Sequence, residues 1–347
     1  MGLNKRLINQ ASAGGFGTDN FAPVTYTGNR PSTQSITGVG FQPDLVWIKN
    51  RDSSTYPHVL TDSVRGNTKY SVLDTSAQYT GSNTITSFDS DGFSLGDNGY
   101  FNGGLSGAYN EMVAWCWKGG GAAVSNTDGS ITSQVSANPD AGFSIVKYDG
   151  TGVAGSYGHG LSSAPEFIIT KNFDWSIPDW FVYHKDLGTN GYLRFNKNTT
   201  EQTASTLFSS APSATVVNIG NDSGINRSTG DTQIAYCFHS VDGYQKFGTY
   251  AGTGSVSGPT ITLGFQPRFF MVKQISPAYG SWNWYVWDSA RGGFNDNSKT
   301  LQPSTSNVED TTGTFNVDFT STGVFLENSP WNNINQNGGT FLYWAIA

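Results

Sequence analysis

Asp89, Asp91 and Gly92, in DSDGFSLGD at 89–97, are spaced like the opening of a calcium loop. A full loop needs further oxygen ligands and a bidentate Glu at its twelfth position, which Leu95 and Asp97 do not supply. The corresponding stretch late in the chain, TSTG at 320–323, keeps the glycine and carries no carboxylate. A position that keeps its glycine and loses its acids reads as a turn, so no metal is expected. DSVRG and DSARG pair Asp62 with Arg65 and Asp288 with Arg291. Catalysis would want a nucleophile or base beside such a pair, so it reads as a salt bridge clasping a turn. The middle of the chain offers Asp186 followed by Leu187 where the arginine should be. His58, His159, His184 and His239 share no metal-ligand spacing. A Ser-His-Asp set assembled in space stays open, although the chain has no G-x-S-x-G. GTGSVSG at 252–258 resembles a phosphate loop only in composition, because no helix follows it. No catalytic residue and no cofactor is expected.

Surface aromatics are the remaining candidates. Trp175, Trp180, Trp282, Trp284 and Trp331 stand in or near the loops NFDWSIPDW, YGSWNWY and NSPWNNINQNGG. Exposed indoles among Asn and Ser suit sugar stacking or a protein interface. Trp175, Trp180, Trp282 and Trp284 are therefore the candidate binding residues. The competing reading is that each plugs the core of its own unit.

These loops sit inside a repeat. GFQPDLVWIKNR at 40–51 is written again as GFQPRFFMVKQ from residue 264, with a weaker copy, GLSSAPEFIITKNF, between them. Three landmarks fix the register. Tyr26, Tyr148 and Tyr250 each sit in an opening strand. Each is followed 17 residues later by Pro43, Pro165 or Pro267, then an apolar run and Lys49, Lys171 or Lys273. LTDSVRG, VYHKDLG and VWDSARG form the next landmark, and VAWCW, IAYCF and LYWAI close the copies. Apolar runs without alternation, such as DLVWI, EFIIT and RFFMV, read as strands buried on both faces. Asn-Gly and Gly-Gly in DNGY, TNGY and QNGG read as turns between strands. No helical pattern exceeds two turns. The expectation is an all-β protein of three tandem antiparallel β-sandwich, jelly-roll-like repeats behind an extended N-terminal arm. The arm covers 1–20, the repeats 21–118, 143–246 and 247–347, and a hairpin-like linker 119–142. Cys116 and Cys237 hold equivalent positions in two repeats, so they are expected buried and unpaired.

Composition narrows the class. Charged residues make up 13% of the 347, against an ordinary share of roughly 25%. With 14% aromatics and a net charge of −7, the chain is a folded one without the clustered Lys and Arg that nucleic acid requires. No apolar run is long enough to span a membrane as a helix, and the first residues carry no secretory apolar segment.

LNKRLI at 3–8, GVGFQPDLVWIKNRD, ITSFDSDGFSLG and VAWCWKGGGAAVSNTDGSITSQVSANPDAGFSIV resemble a family of virion structural proteins of marine tailed bacteriophages, the cyanophages and pelagiphages. The match runs over nearly the whole chain and is most specific in 36–146. It implies a non-enzymatic protein of the virion surface, assembled in the host cytoplasm: a tail-fibre or receptor-binding type appendage. Capsid decoration is the alternative, and a carbohydrate-binding module or polysaccharide depolymerase a further one. The arm residues Leu3, Lys5, Arg6, Leu7 and Ile8 would dock on other virion proteins. A host surface glycan and a homo-oligomer, a trimer by preference, are the other implied partners, with no nucleic acid and no membrane insertion.

Overall fold

The computed structural model of the protein describes residues 19–347 apart from 178, 189, 277–281, 296 and 328–332. The proposed arm residues Leu3, Lys5, Arg6, Leu7 and Ile8, and Trp331, lie outside the described residues. The chain is all-β, with antiparallel pairing in every named sheet. In the first large sheet the opening strand Phe21–Thr27 lies beside the closing strand Glu111–Trp117. Leu45–Asn50 and Val59–Asp62 follow, and then two edge strands. In the second sheet the same order runs Phe143–Asp149, Thr232–Phe238, Phe167–Asn172, Phe181–His184. In the third it runs Gln245–Ala251, Thr340–Ile346, Phe269–Ser276, Tyr285–Asp288. A smaller sheet of two or three strands packs on each; with its large sheet it is called a unit below. The segment 119–142 contributes Val124–Asn126 and Ser133–Asn138, a hairpin that extends the edge of the second large sheet.

Pairing strand residues by parity explains why the post-proline strands lack alternation. Leu45 and Trp47 point into a core common to all three units, while Val46 and Ile48 point into the first unit's own core. Phe167 and Ile169 are split from Ile168 in the same way, and Phe269 and Met271 from Phe270 and Val272. One face of each large sheet therefore closes its own sandwich, and the other closes against its two counterparts. Aromatic rings interlock across this shared core: Trp117 stacks on Trp344 at 5.6 Å, Phe21 meets Phe269 at 5.5 Å, and Trp47 meets Phe195 at 5.4 Å. Such pairs add about 0.5–1.5 kcal/mol each to the burial of the rings.

Cys116 and Cys237 are buried, unpaired and placed in different unit cores, as their equivalent positions required. Asn98-Gly99 of DNGY departs from expectation. It is no hairpin turn: Asn98 caps the short helix Gly99–Asn102, its side chain accepting from the Tyr100 amide. An Asx side chain can satisfy a helix start as readily as a turn, so the dipeptide alone is ambiguous.

The strands give the molecule two ends. Phe21, Trp117, Leu45 and Asp62 align across the first sheet, and Phe143, Phe238, Phe167 and His184 across the second. At this base the chain enters at Phe21 and crosses from unit to unit. At the opposite end, the tip, lie the segments that follow Lys49, Lys171 and Lys273.

Candidate functional site

The most elaborate polar chemistry lies at the seams between units, near the base. Asp62 accepts from its own turn, from the Arg65 amide at 2.8 Å and Arg65 Nε at 2.5 Å. Asp288 and Arg291 repeat this at 2.9 and 2.5 Å. The expected turn clasp is thus present twice. Each clasp also takes a donor from the neighbouring unit. Tyr236 Oη donates to Asp62 Oδ2 at 2.9 Å, and Trp115 Nε1 donates to Asp288 Oδ2 at 2.9 Å. The guanidinium of Arg65 lies 4.7 Å over the Phe173 ring, and that of Arg291 lies 5.5 Å over Trp115. Glu309 then bridges Arg291 at 3.1 Å and Arg51 at 2.7 Å, which ties the third unit to the first. Buried charges are tolerable only when paired and hydrogen-bonded this fully.

The third seam is different, and it corrects the reading of Asp186. Strand register places Asp62 opposite Leu45 and Asp288 opposite Phe269. The residue opposite Phe167 is His184, so His184 and not Asp186 is the counterpart of the clasp aspartates. Leu187 stands where the arginine would be and packs on the shared core. Burial, with Lys185 adding to it, pushes His184 down to about 3, so the ring is neutral at any ordinary pH. Trp344, the counterpart of Trp115 and Tyr236 by register, finds its acceptor in Gln245 Oε1 at 3.1 Å.

The landmark lysines are buried in all three units. Their Nζ atoms donate to backbone carbonyls, most of them in the segments that follow. Lys49 Nζ donates to the carbonyls of Asn50, Ser53 and Tyr56 at 2.5, 3.1 and 2.9 Å. Lys171 reaches the Ile177 carbonyl at 3.5 Å and lies 5.7 Å over the Trp180 ring. Lys273 donates to the carbonyls of Asn198, at 2.9 Å, and Trp282. Burial lowers Lys49 and Lys171 to about 8 and Lys273 to about 7, against an opposing pull from Asp52 on Lys49 and Asp179 on Lys171. The sign of the pH dependence follows. An unfolded lysine takes its proton below 10.5 while the folded one waits until about 7 or 8, so protonation favours the unfolded chain in that window. Stability from these groups is full above 10.5 and falls as pH drops toward 7. The stability difference between the protein and Lys273→Met, from urea titrations at pH 7.5 and 9.5, is expected to move in the protein's favour by about 1.4 kcal/mol per pH unit. A difference that stays flat across that range refutes the assignment.

A second threefold device fixes the tip and explains the landmark tyrosines. Tyr26, Tyr148 and Tyr250 donate through Oη to the carbonyls of Phe101, Ile225 and Ile334 at 2.6, 2.8 and 2.7 Å. The next residue is each time a buried asparagine, Asn102, Asn226 or Asn335. Its Oδ1 accepts from the amide of Asn29, Thr151 or Thr253 at 2.8, 2.7 and 2.8 Å. Its Nδ2 donates back to the carbonyl of Ser32, Val153 or Ser255 at 2.9, 2.6 and 2.9 Å. Sequence reading missed these asparagines because their distance from the tyrosine drifts: the tyrosine and its acceptor are 75, 77 and 84 residues apart. Their signal was an Asn after an apolar residue and before a Gly-containing turn. Tyr148→Phe should cost about 1–2 kcal/mol and Asn226→Ala about 2–3 kcal/mol by urea unfolding. Losses under 0.5 kcal/mol for both would mean that the pins hold nothing.

The tryptophan candidates divide. Trp180 and Trp284 are fully buried and belong to the shared core, which corrects their reading as stacking residues. Trp180 lies parallel to Tyr236 at 6.2 Å, and Trp284 Nε1 donates across a seam to the Arg194 carbonyl at 2.9 Å. A fully buried ring cannot stack on a sugar. Trp175 packs, partly buried, against the second unit's own core. Trp282 is half-buried, with its carbonyl held by Lys273.

The remaining candidates serve turns. Asp91 accepts from the amides of Gly38 and Gly40 at 3.0 and 2.7 Å, and these bonds hold its carboxyl below the usual range. Asp89 accepts from Ser87 and Ser94 hydroxyls, both at 2.7 Å. A Cβ at Gly92, where φ is 146°, would meet the Ile36 carbonyl oxygen at 2.0 Å, and one at Gly323 would meet that of Ile261 at 2.0 Å. That close approach is why the glycine recurs where the acids do not. Buried His159 sits in a turn, its Nδ1 accepting from the Leu161 amide at 3.1 Å.

A family model described as a domain of unknown function (DUF7483) matches residues 17–347. No curated protein matches the chain.

Proposed function

The chain belongs to the family of the domain of unknown function DUF7483, and from this premise we propose that it is a non-enzymatic virion-surface protein of the tail-fibre or receptor-binding type, held to the particle through its N-terminal segment. The observation that carries the reading is the closure of three sheets round one core, with the chain entering at the base and pinned segments at the tip. Appendages of this kind must be rigid and must separate an anchored end from a presenting end. Here the residues that could have done chemistry are spent on rigidity: the Asp–Arg pairs clasp seams and the lysines hold loop carbonyls. Three large sheets close round one core within a single chain, so further copies in a homo-oligomer would assemble through outer faces or the N-terminal segment.

Mass spectrometry and immunogold labelling of gradient-purified particles of the encoding virus test the reading. Stoichiometric presence on the particle surface is expected. A chain abundant in lysate and absent from particles overturns it. New reducing ends on incubation with host polysaccharide would replace it by a depolymerase.

A further inference from the structure

The threefold clasp pattern breaks in the second unit, and a groove lies there. In the first and third units the turn after the clasp aspartate is filled by Arg65 and Arg291, whose guanidinium groups are buried at a seam. In the second unit Leu187 takes that position and turns into the core. Two clefts flank this turn and share Lys185. One, of about 400 Å³, lies between Tyr183, Leu187 and Asn190 on one side and Phe208, Ser209 and Ser210 on the other. The second, of about 230 Å³, crosses to the third unit and runs past Glu166, Ser240, Asp242, Lys246 and Phe265.

We propose that these two neighbouring clefts, which share Lys185, form a binding groove for a neutral oligosaccharide. Sites for small molecules run to about 300–1,000 Å³ and pair apolar walls with a few placed polar groups. The first cleft meets both conditions. Tyr183 is partly exposed, and its ring meets Phe208 at 5.4 Å and a tilt of 58°, which leaves an aromatic face for the C–H side of a sugar ring. The Asn190 amide and the two serine hydroxyls offer both donors and acceptors for sugar hydroxyls.

Charge argues for a neutral ligand. The second cleft brings two ammonium and two carboxylate groups together, so it carries no net charge. Lys185 is already paired with Glu166 at 3.1 Å, and Ser240 donates to that carboxylate at 2.5 Å. Lys246 donates to the Thr262 carbonyl at 3.0 Å. The Glu166 and Asp242 carboxylates beside the two ammonium groups would repel a polyanion.

Asn190 lines the first cleft from a fixed turn. It is a non-glycine at φ 60°, held there by the Ala204 amide, which donates to its carbonyl at 3.0 Å. Asn tolerates this region in an Asn-Gly turn, and the conformation sets its side chain at the cleft wall. Glycine adopts such a φ without steric cost.

The assignment rests on the attachment reading only for where the sugar comes from, and the two fail separately. Titrate the whole chain with malto-, cello-, laminari-, xylo- and chitohexaose, following binding by saturation-transfer NMR and calorimetry, with dextran sulfate as the anionic control. At least one neutral hexaose should bind, and Tyr183→Ala should weaken it roughly tenfold. Asn190→Gly relieves the backbone while removing the amide, so it should bind several-fold more weakly with thermal stability kept or raised. Trp282→Ala should bind as the unchanged chain does. The groove assignment is overturned if no neutral hexaose binds at up to about 10 mM. Binding of dextran sulfate alone, or binding untouched by both Tyr183→Ala and Asn190→Gly, overturns it as well.

Discussion

A fragment of residues 119–246, complete with its hairpin and both its sheets, should fail to reach the fold it has in the whole chain. Repeats aligned on landmarks invite the view that each is a domain able to stand alone. The packing says otherwise. Cutting at both ends would expose Phe143, Ile145, Phe167, Ile169, Trp180, Val182, Leu193, Phe195, Ile234, Tyr236 and Phe238, all from one face of one sheet. Fully burying a large apolar side chain is worth about 1.5–3 kcal/mol. Eleven of them therefore outweigh the whole net stability of an ordinary domain, about 5–15 kcal/mol. The unit's own core, which includes Val146, Tyr148, Ile168, Val217 and Ile219, stays with the fragment. The expected product is a collapsed, dye-binding state with strand content but no fixed tertiary packing. Near-ultraviolet dichroism, dye binding and thermal melting check this. A cooperative melt with native-like near-ultraviolet signal would show that the shared core is an interface between independent domains.

The sequence announced the strands and concealed what their second faces touch. Leu45, Val46, Trp47 and Ile48 are apolar in succession, and that reads as a strand buried on both sides. It does not say whether the second layer comes from the same repeat or from two others. The aromatic closing strands carried a hint, because Trp115, Trp117, Phe238 and Trp344 are larger than one small sandwich needs. Trp180 and Trp284 misled for the reverse reason. They stand among Asn, Pro and Asp in segments that look like loops, yet the seams supply their burial, and a seam between distant segments leaves no local pattern. Asp186 misled through chemical identity, since an acid near the right place was taken for the acid in the right place. Register against Phe167 selects His184 instead. The turn glycines and acids were legible because their partners are close along the chain or recur in another unit. The groove at Tyr183 was not, because it is defined by what the middle copy lacks.

That missing clasp also provides a natural control for the other two. Asp62→Ala should destabilise the protein by about 3–5 kcal/mol, the usual result of stranding one member of a buried ion pair. Arg65 would keep its charge with its side chain 2% exposed, its remaining partners being neutral groups: Ser71, Gln78, the Tyr236 hydroxyl, the Leu60 carbonyl and the Phe173 ring. Tyr236 would lose the acceptor of its hydroxyl at the same time. The second unit shows that the seam does not need charge as such, since His184 and Leu187 close it with a neutral ring and an alkyl chain. Transplanting that solution as Asp62→His with Arg65→Leu removes both charges together. The double variant should therefore be more stable than Asp62→Ala by at least about 2 kcal/mol, although it carries one more substitution, because no buried charge is left unpaired. Urea unfolding of the three proteins at pH 7.5 keeps the introduced histidine neutral and decides the matter. If the double variant is as unstable as the single one, the clasp contributes shape and hydrogen bonding at its own seam that the third seam obtains elsewhere, and charge pairing is not what holds Asp62 and Arg65 in the core.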